Sequence, residues 1–298
     1  GLDTRLAAGF DGIDLFAGRG QRAGPGRAVD TRCGSGHHDG VARDQQWHFV
    51  RGDQRRARHW CSGDAAQMLQ CLLVVAIAPW NFPFWILSQK LPFALAAGCT
   101  CVVKPSEMTP STTAILGELL PQAGLPDGVV NIVLGYGQPV GALMASHPDV
   151  DMVTFTGSTA VGKAISAAAS GTLKKLALEL GGKNPQVIFP DADLESAADA
   201  VTFGIYFNAG ECCNSGSRII VHQDIAEDFV ARVVALSAQV PFGDPRDPRT
   251  QVGAIISTAH QGKIDAYVKE AEAAGATVRM GGSGFSVPGL GGQFYQPT

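Results

Sequence analysis

The sequence predicts an α/β protein built on a Rossmann-like, doubly wound parallel sheet. Three observations lead there. From about Leu72 onward, short apolar runs rich in Val and Ile alternate with longer segments of helical period; several of the runs end at glycine; and the alternation repeats along the chain. With 298 residues, 45% of them hydrophobic, the chain can bury a large core or two domains.

The elements follow in order. "LLVVAIAP" reads as a buried strand and leads into a helix-like segment from Phe84 to Ala97. "TCVV" is the next strand, with a helix-like segment from Ser111 to Ala123 behind it. "VVNIVLG" leads into Pro139 to Ser146, and "MVTFTG" into Ser158 to Ser170. "LKKLALELGG" is a further strand that stops at a glycine pair. Ligands of such sheets sit beyond the carboxyl ends of the strands, so the residues just after each strand are the ones to inspect.

Composition narrows the function. A net charge of -4 offers no basic surface for nucleic acid, and no apolar run reaches the roughly eighteen residues of a membrane span. A small-molecule ligand is expected. Seven cysteines at irregular spacing point to free thiols in a reducing compartment, so a cytoplasmic location is expected. The chain starts at Gly1 with no signal-peptide pattern, and its natural start is expected upstream.

Residues 1–70 stand apart. They hold ten of the fifteen arginines and eight aspartates, yet no lysine or glutamate, whereas the remainder has eight of each. Solvated helices draw on both missing types, so this stretch is expected to be either translated out of frame, joining the correct frame near Cys71, or disordered; the first is preferred. Cys33, His37, His38 and Cys61 match no common zinc spacing, and no metal site is assigned.

Six short stretches bear on the chemistry. In "PWNFP", Asn81 is either a turn residue bonded to local backbone or a fixed amide donor. In "KPSEMTP", Lys104 and Glu107 bracket a turn where side chains can reach a ribose, with solvated charges as the ordinary alternative. "GYGQPVG" has one residue too many for a dinucleotide fingerprint. "GSTAVGKA" fits phosphate-loop spacing until Ala164, which stands where Ser or Thr must hold magnesium. What survives is a glycine-bearing turn, Gly157 and Ser158, opening a helix and suited to a pyrophosphate. Glu179 in "LELGGKNP" is read as a carboxylate at the end of an apolar strand, fit for acid/base work or for an ion pair. Finally, "GECCNSGSR" sets Cys212 and Cys213 side by side, and either is core filler or a nucleophile.

Together, "PWNFP", "KPSEMTP", "FTGSTAVG", "LELGGKNP" and "GECCNSGSR" resemble, in order and spacing, the NAD(P)-dependent aldehyde dehydrogenase superfamily, from about Val74 to Thr298. The resemblance implies that Cys213, 34 residues beyond Glu179, is the nucleophile attacking an aldehyde. It further implies that the Asn81 amide holds the oxyanion and that Glu179 activates the hydrolytic water. The implied cofactor contacts are Ala78, Trp80, Lys104, Glu107, Gly137, Gly157, Ser158, Leu180 and Lys263. A carboxylate at Glu107 repels a 2′-phosphate, so NAD is expected over NADP. The implied partner is a small aldehyde, with homo-oligomers in the family.

The resemblance implies an NAD domain over 71–181 and the first part of an α/β catalytic domain over 182–298. Two departures bear on function. Glu211 stands where the family usually has glutamine and, if ionised, opposes thiolate formation at Cys213. The chain stops at "YQPT", where family members continue, so weak NAD binding with little turnover is expected. A phosphorylating or CoA-acylating relative and an inactive nucleotide-binding product are the alternatives.

Overall fold

The computed structural model describes residues 72–298. Strands β1 (Leu73–Ile77), β2 (Thr100–Lys104), β3 (Val130–Ile132), β4 (Met152–Gly157) and β5 (Lys175–Leu180) form one sheet in the order β3-β2-β1-β4-β5. Every neighbouring pair is parallel. The expectations for residues 1–70, including the discounted zinc pattern, lie outside the described residues.

Both faces of the sheet are buried, and the period of two shows which residue serves which face. Val74, Ala76 and Ala78 pack with Cys101 and Val103 on one side, under α1 (Pro83–Ser88), α2 (Leu91–Ala96) and α3 (Ser111–Gln122). Val75 and Ile77 pack with Val102, Val153 and Phe155 on the other, under α4 (Ala142–Ser146) and α5 (Thr159–Ala169). This is why "LLVVAIAP" is a continuous apolar run rather than an alternating one.

The helix-like segment Phe84–Ala97 is not one helix. α1 ends at Ser88 and α2 begins at Leu91. Pro92 has no N–H, and its ring would collide with the Ser88 carbonyl in a continuous helix; in the first turn of a new helix neither matters.

The chain steps from β1 outward to β2 and β3, then returns to place β4 on the other side of β1, so a crevice opens between the carboxyl ends of β1 and β4. Beyond β5, a parallel pair, β6 (Pro185–Ile188) and β7 (Arg218–Val221), is linked by α6 (Leu194–Tyr206) and followed by α7 (Ala226–Ser237) around Ile188, Ala198, Val201 and Phe229. Asp193 caps α6, accepting from the N–H groups of Glu195 and Ser196. The described chain ends with α8 (Thr258–Ala273) and an antiparallel pair, β8 (Gly284–Phe285) and β9 (Phe294–Tyr295). Among the described residues no helix is long and apolar enough to cross a membrane.

Candidate active site

The turn carrying the paired cysteines lies between α6 and β7. It opens with three consecutive left-handed residues, Asn208 (φ 52°), Ala209 (φ 59°) and Gly210 (φ 74°). Asn and Gly accept that conformation readily, whereas alanine costs about 1–2 kcal/mol. The reversal is held by hydrogen bonds from several elements. Asn184, just before β6, donates to the carbonyls of Cys213 (3.1 Å) and Ser215 (3.2 Å). Gln186 of β6 donates to Gly216 O (2.8 Å), and the Ser215 hydroxyl to Gly204 O (2.6 Å) on α6. Gly182 lies so close that an added Cβ would sit 3.3 Å from the Cys213 carbonyl oxygen.

The end of β1 closes on the same turn. Asn81 Nδ2 donates to Glu211 O at 2.8 Å, and Asn208 Nδ2 donates back to Asn81 O at 3.0 Å. Residues separated by 130 positions are thereby tied reciprocally. The two thiols differ in their surroundings. Cys212 is half-buried with its Sγ 2.7 Å from Asn214 Oδ1, whereas Cys213 is exposed.

Glu179 stands near the end of its strand, unburied. It lies on β5, an outer strand of the five-stranded sheet, in register with Thr156, and its side chain is exposed. Its charged neighbour is Lys90, whose Nζ donates to Thr154 Oγ1 at 2.9 Å. Burial lowers the Lys90 pKa, and the Glu179 carboxylate acts against that shift. The link from this strand to Cys213 runs through backbone, by way of Gly182 and Asn184.

The other predicted positions cluster around the crevice. Ala78 is buried, and its N–H donates to Lys104 O (3.0 Å). Lys104 is buried, with Nζ 3.0 Å from Pro105 O and 3.6 Å from the exposed Glu107 carboxylate. It lies against Gly141, where an added Cβ would approach its chain to 3.7 Å. Gly137 opens the Gly137–Gly141 turn and faces open space. Ser158 caps α5 by accepting from Val161 N–H. Gly157 ends β4 directly before it, and Leu180 packs under Gly162 of the same helix. Trp80 meets His260 edge-on, ring centroids 5.1 Å apart, and Lys263 is exposed one turn further along α8. Among the described residues no group of three His, Cys, Asp or Glu side chains is placed to hold a metal ion.

The Aldehyde dehydrogenase family model matches residues 71–298. This chain belongs to the aldehyde dehydrogenase family. Betaine aldehyde dehydrogenase of Bacillus subtilis is 45% identical over 223 residues, 74% of this chain and 46% of that protein. Human retinaldehyde dehydrogenase 3 is 45% identical over 224 residues, 75% of this chain and 43% of that protein. Among solved structures, NAD-dependent aldehyde dehydrogenase from Sinorhizobium meliloti superposes with a TM-score of 0.73 at 48% identity, covering 76% of this chain and 44% of that one. Betaine aldehyde dehydrogenase from Staphylococcus aureus, in complex with NAD+, superposes at 0.74 with 43% identity, covering 76% of this chain and 45% of that one. The chain spans less than half the length of these relatives.

Within this aldehyde dehydrogenase family member, sequence reading overlooked four residues of the site: Asn184, Asn208, Lys90 and His260. Asn184 and Asn208 carried a signal, since each is an amide beside a glycine-bearing turn next to a candidate residue. Lys90 and His260 carried none, because what distinguishes them is contact with residues 64 and 49 positions away.

Proposed function

We propose that this aldehyde dehydrogenase-family chain carries the nucleophile and nucleotide contacts for oxidation of an aldehyde to a carboxylic acid with NAD. The observation that carries this reading is the reciprocal tie between Asn81 and the Glu211–Asn208 turn, which brings a side-chain amide from the end of β1 to the turn bearing the exposed Cys213. The names of the relatives, betaine aldehyde and retinaldehyde dehydrogenases, support an aldehyde substrate.

The residues at the crevice suit a dinucleotide. A buried cation beside an exposed carboxylate, Lys104 and Glu107, and a capped helix N-terminus at Ser158 lie at the carboxyl ends of β2 and β4. Lys104, Glu107, Gly157 and Ser158 would hold it, with Ala78, Trp80, Gly137, Leu180 and Lys263 around them. NAD, when bound, supplies the hydride acceptor. Glu107, open to solvent, favours free ribose hydroxyls over a 2′-phosphate.

Cys213, as thiolate, forms a bond to the aldehyde carbon, and the Asn81 amide and a backbone N–H stabilise the oxyanion that results. After hydride loss the carbon is held as a thioester. Glu179 takes a proton from the attacking water, the acid leaves, and the thiolate is restored. Residues 71–181 are proposed as the nucleotide domain and 182–298 as the start of the catalytic domain. A cytoplasmic location completes the proposal.

The test is NADH formation, with NAD and a panel of aldehydes, by a full-length protein carrying the same motifs. Cys213→Ser should abolish it, and Glu179→Gln should keep the first NADH burst while stalling turnover at the thioester. Undiminished NADH formation by Cys213→Ser would overturn the assignment.

A further inference from the structure

The Glu211 side chain turns inward rather than toward solvent. Its Oε1 makes no hydrogen bond, although it is buried, and it lies 3.4 Å from Nε2 of His260. A buried acid left in that state costs stability unless it pairs or stays protonated. His260 is the available partner and is held rigidly. Its backbone N–H donates to the Ser257 Oγ that caps α8, and its ring lies edge-on against Trp80. The helix is in turn anchored by Gln261 Nε2 on Phe294 O (2.8 Å).

We propose that Glu211 and His260 are a positioning pair for the nucleophile: the protonated Glu211 carboxyl donates to His260 Nε2, and the turn bearing Cys213 stays uncharged while that proton is in place. The proposal rests on Cys213 being the nucleophile. Burial pushes the Glu211 carboxyl up to about 7, and burial together with the charge of Lys263 lowers the imidazole, so both members favour their neutral forms. A small rotation of the carboxyl closes the gap to the hydrogen-bond length of about 2.8 Å. The charged group beside the pair is Lys263 on α8; Cys212 and Cys213 follow Glu211 along the turn, and the segment after β1 contributes the uncharged Trp80 and Asn81.

The consequence is directional. When Glu211 loses its proton, a carboxylate stands two residues before Cys213, on the residue whose carbonyl Asn81 holds. A negative charge there works against a second negative charge on the same turn, on the Cys213 sulfur or on the oxyanion. Glutamate at this position thus brings no charge penalty at low pH and a growing one as it ionises.

The test is the rate of iodoacetamide alkylation at Cys213 in the full chain, read by peptide fragmentation, which separates it from Cys212, between about pH 6 and about pH 9. In the unmodified chain the rate should rise with pH but show a shallow break where Glu211 ionises. Glu211→Gln should remove the break, matching the unmodified chain at about pH 6 and reacting about three- to fivefold faster at about pH 8, because the turn then carries no carboxylate. His260→Phe keeps a ring on Trp80 but removes the acceptor, and should move the break to lower pH. An unmoved or upward-shifted break would overturn the neutral pair, as would identical profiles for Glu211→Gln and the unmodified chain. If His260→Phe does not fold, Glu211→Gln decides alone, since glutamine keeps the size and neutrality of the protonated acid. A Cys213 slower than the buried Cys101 in the unmodified chain would instead sink the nucleophile assignment.

Discussion

Cys212 and Cys213 are adjacent and chemically identical, yet the fold gives them different surroundings. Cys212 lies against Asn214 and is half-buried, while the cradle of Asn184, Gly182 and Asn81 holds backbone only and leaves the Cys213 side chain exposed. At the other extreme, burial and the neighbouring Cys99 push the Cys101 thiol up to about 12. Iodoacetamide at neutral pH should therefore label Cys213 ahead of Cys99 and Cys101; equal labelling, measured by peptide mass spectrometry, would contradict the assigned environments. The same turn stores strain at Ala209, the one residue of its left-handed trio with neither a polar side chain nor a missing Cβ. Ala209→Gly should raise stability by about 0.5–1 kcal/mol, the left-handed penalty less the extra freedom of glycine in the unfolded chain, as read by urea unfolding. A loss of stability would show that the strain is not there.

At the scale of elements, glycines at strand ends have two separate reasons to exist, and sequence reading distinguished them poorly. In the sequence Gly157 reads as an approach point for phosphate. In the structure an added Cβ would collide with the Phe155 ring, because residues two apart on a strand share a face. That ring is buried in the core under α5, so it cannot simply swing away. Gly157→Ala should cost about 1–3 kcal/mol in urea unfolding, the usual range for overpacking, whatever it does to nucleotide binding. An unchanged midpoint would return Gly157 to a purely ligand-facing role. Helix boundaries follow a similar lesson. The apolar period across 84–97 is continuous enough to read as one helix, and Pro92 is the local signal that divides it.

At the scale of the whole molecule, burial is uneven. Val75, Cys101, Val103 and Val153, on the three inner strands of the large sheet, are fully inaccessible, whereas β8 and β9 are two residues each. Amides of β1, β2 and β4 should be the slowest to exchange with deuterium, and those of β8 and β9 among the fastest of the strands. The reverse order would mean that the central sheet is not the stable unit. The exposure of Glu179 fits its place in this sheet: among the described residues, β5 has β4 as its only strand neighbour.

The doubly wound parallel sheet, the order of its elements and the family were legible in the sequence, because hydrophobic period, glycine-ended strands and five short motifs are all local along the chain. The contact between Asn81 and the Cys213 turn, the exposure of Glu179, the burial of Glu211 and its meeting with His260 were decided by tertiary structure. Each depends on residues 49 to 130 positions apart, or on where a strand falls within the sheet. The charge expected at Glu211 illustrates the difference: the sequence supplies the carboxyl group, but whether it keeps its proton depends on desolvation, which exists only once α8 has packed against the turn.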